Sequence, residues 1–266
     1  MRKSLFAFFF LLITPFVYAY EIPQKIWQTY KTRNLPSPAR KAQISWINLN
    51  SDFDYSFWDD EGIEKYIACQ WDDRTLSFFK SFPLGVMKAD LWRYLIIADM
   101  GGVYSDIDSI CHTPIRLWGA DVPNHSTNVL LLGLENDIHF CQWTIAASAK
   151  HPAMIHVCKY VVQNWVNNGI DIKNPHFVHA TTGPAIWTEA ICDYLGVHCK
   201  TAKEIYSLYV CDSNFREHIN SLGVWLYSEN NYKGMWSSNL YGSQFFGDNY
   251  IKWIDERDKI LRNLPQ

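Results

Sequence analysis

Residues 87–114 read MKADLWRYLIIADMGGVYSDIDSICHTP, and the rest of the chain is organised around them. No Gly or Pro interrupts Lys88 to Met100, and Leu91, Leu95 and Ala98 recur at helical spacing. Asp90 and Arg93 stand three apart, which predicts a pair on a face away from that stripe. Gly101-Gly102 supplies a helix end where positive φ is needed. Val103 to Asp108 then alternates like a strand, with Asp106 and Asp108 expected on one side. Two neighbouring carboxylates repel unless a cation lies between them. Hard oxygen ligands suit magnesium or manganese, whose other positions stay open for water and phosphate.

The fixed positions Ala89, Asp90, Arg93, Tyr94, Gly101, Gly102, Tyr104, Asp106 and Asp108 resemble the sugar-nucleotide-binding signature of DxD glycosyltransferases. The similarity is to the family-32 type, which includes Golgi initiating and inositol-phosphoceramide mannosyltransferases. The donor-binding core of clostridial glucosylating toxins is similar too. The resemblance implies a GT-A fold, an α/β Rossmann-like architecture with a mostly parallel sheet flanked by helices. It implies a metal-dependent transfer of a hexose, with retention, from GDP-mannose or a UDP-hexose to a glycan, glycolipid or protein acceptor. By the same resemblance Asp108 and Asp106 would hold Mn2+ or Mg2+. Arg93 would face the diphosphate, Asp90 the sugar hydroxyls, and Tyr104 the phosphates or sugar.

Further along, the resemblance adds Gln28 at the end of the first strand and Thr182-Gly183 in a T-G-P segment. Backbone amides at such a helix start can bind an anion. Family members often carry H-x-x-x-G-S-W near the C-terminus. Here residues 238–244 read SNLYGSQ, so Gly242 and Ser243 fit, while Ser238 or Asn239 replaces His and Gln244 replaces Trp. Asn239 can still offer an amide oxygen to a metal and Ser243 a hydroxyl to the donor. The departure keeps open an alternative, a catalytically decayed fold that binds carbohydrate.

The residues themselves frame this reading. Arg2-Lys3, an apolar run from Leu5 to Val17 and Val17-Tyr18-Ala19 predict a signal peptide over residues 1–19. The run is short of the about 20 residues of a spanning helix, yet a short retained anchor would give membrane association. Either way the fold is expected outside the cytosol, in the Golgi lumen of a eukaryote or exported by a bacterium. Residues 20–266 contain no linker, charge block or repeat, which predicts one domain. Hydrophobic residues at 48% and aromatics at 16% exclude disorder, and a net charge of −3 without a basic run speaks against nucleic acid. The seven cysteines form no zinc spacing. In an oxidising compartment some could pair. Asn124-His125-Ser126 is a glycosylation tripeptide.

Elsewhere, Glu21–Thr29 and Phe53–Phe57 read as strands, and Ser37–Leu49 as a helix with Ile44 and Ile47 facing inward. Residues 62–70 read as a helix and 128–134 as a strand. Phe140–Ala149 and Met154–Trp165 read as helices, and a last helix carries Ile251, Ile254 and Leu261. His176 and His179 fit no strand-borne metal pair. Alternating strands and helices imply a sheet with crossovers, whose ligands sit at carboxyl ends of strands near a switch in strand order. A haloacid-dehalogenase-type phosphatase also uses D-x-D, but its paired acids would follow the motif, whereas Asp59-Asp60 and Asp72-Asp73 precede it. A glycoside hydrolase needs two carboxylates roughly 5–10 Å apart.

Overall fold

In the computed structural model, residues 22–123, 126–198, 200–228 and 249–263 are described. Residues 1–19 with the expected signal peptide, the Asn124-His125 pair, Cys199 and the 238–244 stretch with Asn239 and Ser243 lie outside them. Among the described residues six strands make one sheet in the order β2-β1-β3-β5-β4-β6. They are β1 (Lys25–Thr29), β2 (Asp54–Trp58), β3 (Gly102–Ser105), β4 (Leu130–Gly133), β5 (Thr144–Ala147) and β6 (Val224–Tyr227). Strand β1 runs parallel to β2 and β3, and β4 runs parallel to β6; β5 is antiparallel to both its neighbours.

Period-two alternation divides the sheet residues between two layers. Trp27, Tyr104, Leu130, Leu132, Ile145, Ala147, Val224 and Leu226 face the larger core. Ile26, Val103, Leu131, Ala146, Trp225 and Tyr227 face the smaller one. The large layer is built by α2 (Asp60–Gln70), α3 (Asp73–Lys80), α4 (Gly85–Met100), α5 (Pro152–Asn168), α6 (Phe177–Thr181), α7 (Pro184–Leu195), α8 (Ala202–Cys211) and α9 (Ser213–Ser221). Helix α1 (Ser37–Leu49) backs the opposite face through Trp46, and α10 (Asn249–Arg262) is the expected last helix. This is the mixed α/β GT-A architecture that the resemblance implied.

Several elements depart from expectation. In α1 it is Ala39, Ala42 and Trp46 that are buried, while Ile44 is 44% and Ile47 38% exposed. Ala39 packs with Leu35 and Ile107, and the Trp46 indole donates to the Ser109 carbonyl at 3.0 Å. Residues 140–149 form no helix; Thr144–Ala147 pairs with both β3 and β4. A short apolar run fits either element, and here open strand edges capture it. The strand after Gly101-Gly102 stops at Ser105, short of the aspartates. His176 and His179 flank one turn at the start of α6 with ring centroids 6.0 Å apart. Cys69, Cys111, Cys158, Cys192 and Cys211 are thiols.

Gly102 cannot be replaced without moving the sheet. Its φ is 93°, and a Cβ there would lie 2.6 Å from the Lys25 carbonyl oxygen. That contact is what lets β3 run beside β1 immediately after α4. His151 is a second fixed point. Fully buried, it caps α5 by accepting the Ala153 amide on Nδ1 at 3.1 Å, while Nε2 meets the Gly223 carbonyl at 3.1 Å. Those partners select the neutral ring protonated on Nε2, and burial lowers the pKa to about 4. Between about 6.5 and 4 the unfolded chain takes a proton that the folded one refuses, so stability falls as pH drops through that window. The loss approaches about 3 kcal/mol. His151→Asn, which keeps a capping acceptor, is expected to flatten the acid limb of stability measured by urea unfolding from pH 7.5 to 4.5. An acid limb as steep as wild type would remove His151 from the account.

Candidate active site

At the end of β3 the Asp106 amide still donates to the Trp143 carbonyl at 2.8 Å, after which the chain turns. The Ser109 amide and hydroxyl both donate to the Asp106 carbonyl, at 3.1 and 2.7 Å. Ile107 is buried between the two aspartates and packs with Leu35 and Ala39. The pairing of Asp106 with Asp108 therefore comes from a pinned turn, not from strand alternation. The turn lies where β3 has a parallel neighbour on one side and an antiparallel one on the other. Such a break in the sheet is where open α/β folds place ligands.

Arg93 ties this turn to α4. Its Nη2 sits 2.7 Å from Asp106 Oδ1 and its Nη1 3.0 Å from Asp90 Oδ1. Tyr104 donates to the same Asp106 oxygen at 2.7 Å, and the guanidinium lies 5.1 Å from the centre of the Tyr104 ring. Asp90 also accepts from Thr182 Oγ1 at 2.9 Å and Gln142 Nε2 at 3.4 Å. Tyr94 donates to the Thr182 carbonyl at 2.7 Å, bonds Gln142 Oε1 and stacks on Trp187. The expected face away from the apolar stripe does not exist: α4 is buried from Asp90 through Ala98, and the ion pair with it. Burial pushes Asp90 up to about 7 against the pull of Arg93 and the bond from Thr182.

Asp108 differs from its neighbour. No side-chain bond joins its carboxylate to another described residue, and burial, then the charge of Asp106, raise it to about 7. Among the described residues no cluster of three or more His, Cys, Asp or Glu forms. Two carboxylates, one of them unpartnered and held up by its neighbour's charge, nevertheless fit a hard divalent cation that completes its shell with water and phosphate.

Asp90, Arg93, Tyr104, Asp106 and Thr182 thus come together as one network, with Asp108 beside it. Gln28 is fully buried, bonding the Asp106 carbonyl and the Tyr55 hydroxyl, so it lies beneath the turn. The amides of Thr182 and Gly183 both donate to the Val178 carbonyl, at 3.0 and 2.8 Å, and so are not free to cradle an anion. Gly183 is needed for another reason: a Cβ there would lie 2.8 Å from the His179 Cα. Gln142, Tyr55 and Ser109 were not singled out from the sequence. Their partners are distant in the chain or hidden in a turn, and no spacing marks them.

Residues 36–126 match the family described as the glycosyltransferase sugar-binding region containing a DXD motif. The chain is similar to the initiation-specific alpha-1,6-mannosyltransferase of Schizosaccharomyces pombe, with 31% identity over 198 residues, 67% of this chain and 50% of that protein. Inositol phosphoceramide mannosyltransferase 2 of the same yeast is 38% identical over 90 residues, 34% of this chain and 26% of its own length. The chain spans about half the length of the first curated relatives it matches. Among solved structures, the PaToxG glycosyltransferase superposes with a TM-score of 0.53 at 16% identity, covering 80% of this chain and 83% of that one. That likeness is one of fold. With the acidic turn, its arginine and these matches in place, the chain is a member of the DXD-containing glycosyltransferases of the family-32 type.

Proposed function

We propose that residues 20–266 act as one unit, a metal-dependent hexosyltransferase that moves a sugar from a nucleoside diphosphate to a glycan, lipid or protein acceptor with retention. The observation that carries this is the Arg93 bridge: one buried guanidinium holds Asp90 and Asp106, while among the described residues no side chain bonds the Asp108 carboxylate. Asp108 and the free oxygen of Asp106 would hold Mn2+ or Mg2+. A bound cation would supply charge to stabilise the diphosphate leaving group. Arg93 fixes the position of Asp106 through a geometry suited to oxygen anions. Tyr104 restrains the same carboxylate oxygen from the other side.

Two expected roles are reassigned. Both carboxylate oxygens of Asp90 are already bonded, which favours a part in orienting Arg93 over direct contact with sugar hydroxyls. Thr182 serves that same carboxylate. The leader and the yeast relatives support action outside the cytosol, in the secretory pathway of a eukaryote. Among the described residues no helix is long and apolar enough to cross a membrane.

The test is donor hydrolysis by the purified protein. GDP-mannose is tried first, because the relatives carry mannosyltransferase in their names, followed by UDP-glucose, UDP-galactose and UDP-N-acetylglucosamine. Turnover of one donor with manganese, lost on chelation, is expected. Chelator-insensitive turnover would remove the metal from the proposal, and no turnover of any donor would remove the activity.

A further inference from the structure

A line of hydrogen bonds runs from α1 across β2 and β1 to the acidic turn that follows β3. Gln43 Nε2 on α1 donates to the Tyr55 hydroxyl of β2 at 2.8 Å, and Tyr55 donates to Gln28 Oε1 of β1 at 2.9 Å. Gln28 Nε2 then donates to the Asp106 carbonyl at 3.2 Å. Every donor points the same way, so each bond polarises the next and the line ends on the backbone of the first aspartate. The side-chain amide of Gln28 is used at both ends, which fixes its orientation. Burial raises the Tyr55 phenol to about 12, which keeps it a donor at neutral pH.

The place of this line matters as much as its members. Backbone pairing of β1 with β3 covers Ile26↔Val103 and Trp27↔Tyr104 and goes no further. Where that ladder ends, the Gln28 side chain spans the gap from β1 to the turn. Together with the two bonds from Ser109 it places three donors on the Asp106 carbonyl. A sheet that needed only cohesion would find it in the ladder; the additional bond acts on the segment that sets how the two carboxylates are presented.

We propose that Gln28 and Tyr55 are positioning residues that hold the Asp106–Asp108 turn in its cation-binding geometry, with Gln43 as the outer anchor. The inference rests on the metal-dependent reading above. Neither Gln28 nor Tyr55 touches the donor. Each acts through the Asp106 backbone, as the hydrogen-bonded partners of metal ligands do elsewhere.

The experiment is a Mn2+ titration of the full-length protein by electron paramagnetic resonance, with thermal melting of each variant. Tyr55→Phe keeps the ring and removes the donor to Gln28. Its Mn2+ affinity is expected to fall roughly 10- to 100-fold, and donor turnover at saturating Mn2+ to recover most of its rate. Gln43→Ala, at the half-buried end, retains the fold and is expected to show a smaller loss, since water can replace the amide. Tyr209→Phe breaks a comparable bond to Asn220 between α8 and α9. It should lower the melting temperature and leave Mn2+ affinity unchanged. Wild-type affinity in Tyr55→Phe, or an equal loss in Tyr209→Phe, overturns the positioning role alone. Failure of the wild-type protein to bind Mn2+ overturns the metal reading and this inference with it.

Discussion

Asp108→Asn is expected to abolish metal-dependent donor turnover while making the fold more stable. The two effects share one cause. The Asp108 carboxylate is largely withdrawn from water, gains no side-chain bond from the described residues in return and lies close enough to Asp106 to be pushed further towards its neutral form. A carboxylate whose folded pKa is raised binds its proton more tightly folded than unfolded, so above about pH 4 its ionisation works against the fold. Asparagine has the same shape without the charge. It removes the repulsion and the desolvation, and a gain of about 1 kcal/mol would raise the melting temperature by about 2–4 °C. The same neutral group is a poorer ligand for a hard dication and cannot balance its charge. A residue that served the fold alone would show the opposite pattern. Calorimetry and chelator-controlled hydrolysis of the best donor decide it: wild-type turnover would sink the assignment of Asp108 as a ligand, and a lower melting temperature would sink the electrostatic account.

How much of this site can be read from the chain depends on how far its partners are spread. The Asp90, Arg93, Tyr94, Tyr104, Asp106 and Asp108 pattern falls within nineteen residues, so a single helix, a Gly-Gly stop, one strand and the turn after it carry it. Burial of the Asp90–Arg93 pair was also within reach. Trp92, Tyr94, Ile96 and Ile97 occupy the sides of α4 that the Leu91, Leu95, Ala98 stripe leaves open, and a helix apolar all round is an interior one. The misreading of α1 has a different origin. Ile44 and Ile47 have the bulk that a core face is expected to show, but the buried face of α1 runs through Ala39, Ala42 and Trp46. Gln28 shows the limit. Its partners lie 27 and 78 residues away, and only the strand order β2-β1-β3 puts them in line. No periodicity encodes that. For residues 140–149 the apolar run was visible and its conformation was not, because the deciding partners are strand edges supplied by β3 and β4.

Arg93→Met is expected to cost about 3–5 kcal/mol, the penalty for removing one partner of a buried ion pair, which for a chain of this size is a fall of roughly 6–20 °C in melting temperature. The loss falls unequally on the two carboxylates it abandons. Asp106 is 28% exposed and keeps the Tyr104 hydroxyl, so water can share its charge. Asp90 is fully buried and would retain only the neutral donors Thr182 and Gln142. With the guanidinium gone, the influence that lowers the Asp90 pKa most is removed, so the pKa rises above about 7. The sign then follows. Between about 4 and that raised value the folded variant holds a proton that the unfolded chain has released, so its stability falls as pH rises through the window. Arg93→Met should accordingly be least impaired near pH 5 and most impaired near pH 8. Adding Asp90→Asn removes the stranded charge, and the double variant is expected to regain stability at pH 8 and to lose the pH dependence that Asp90 confers. It would not regain donor turnover, because Asp106 is still without its cation. Urea unfolding of the wild type and both variants at pH 5 and 8 measures all of this. If the double variant proved no more stable than Arg93→Met at pH 8, then the cost lies in lost packing around the guanidinium, which stacks against Tyr104, and the charge of Asp90 is not what α4 has to neutralise.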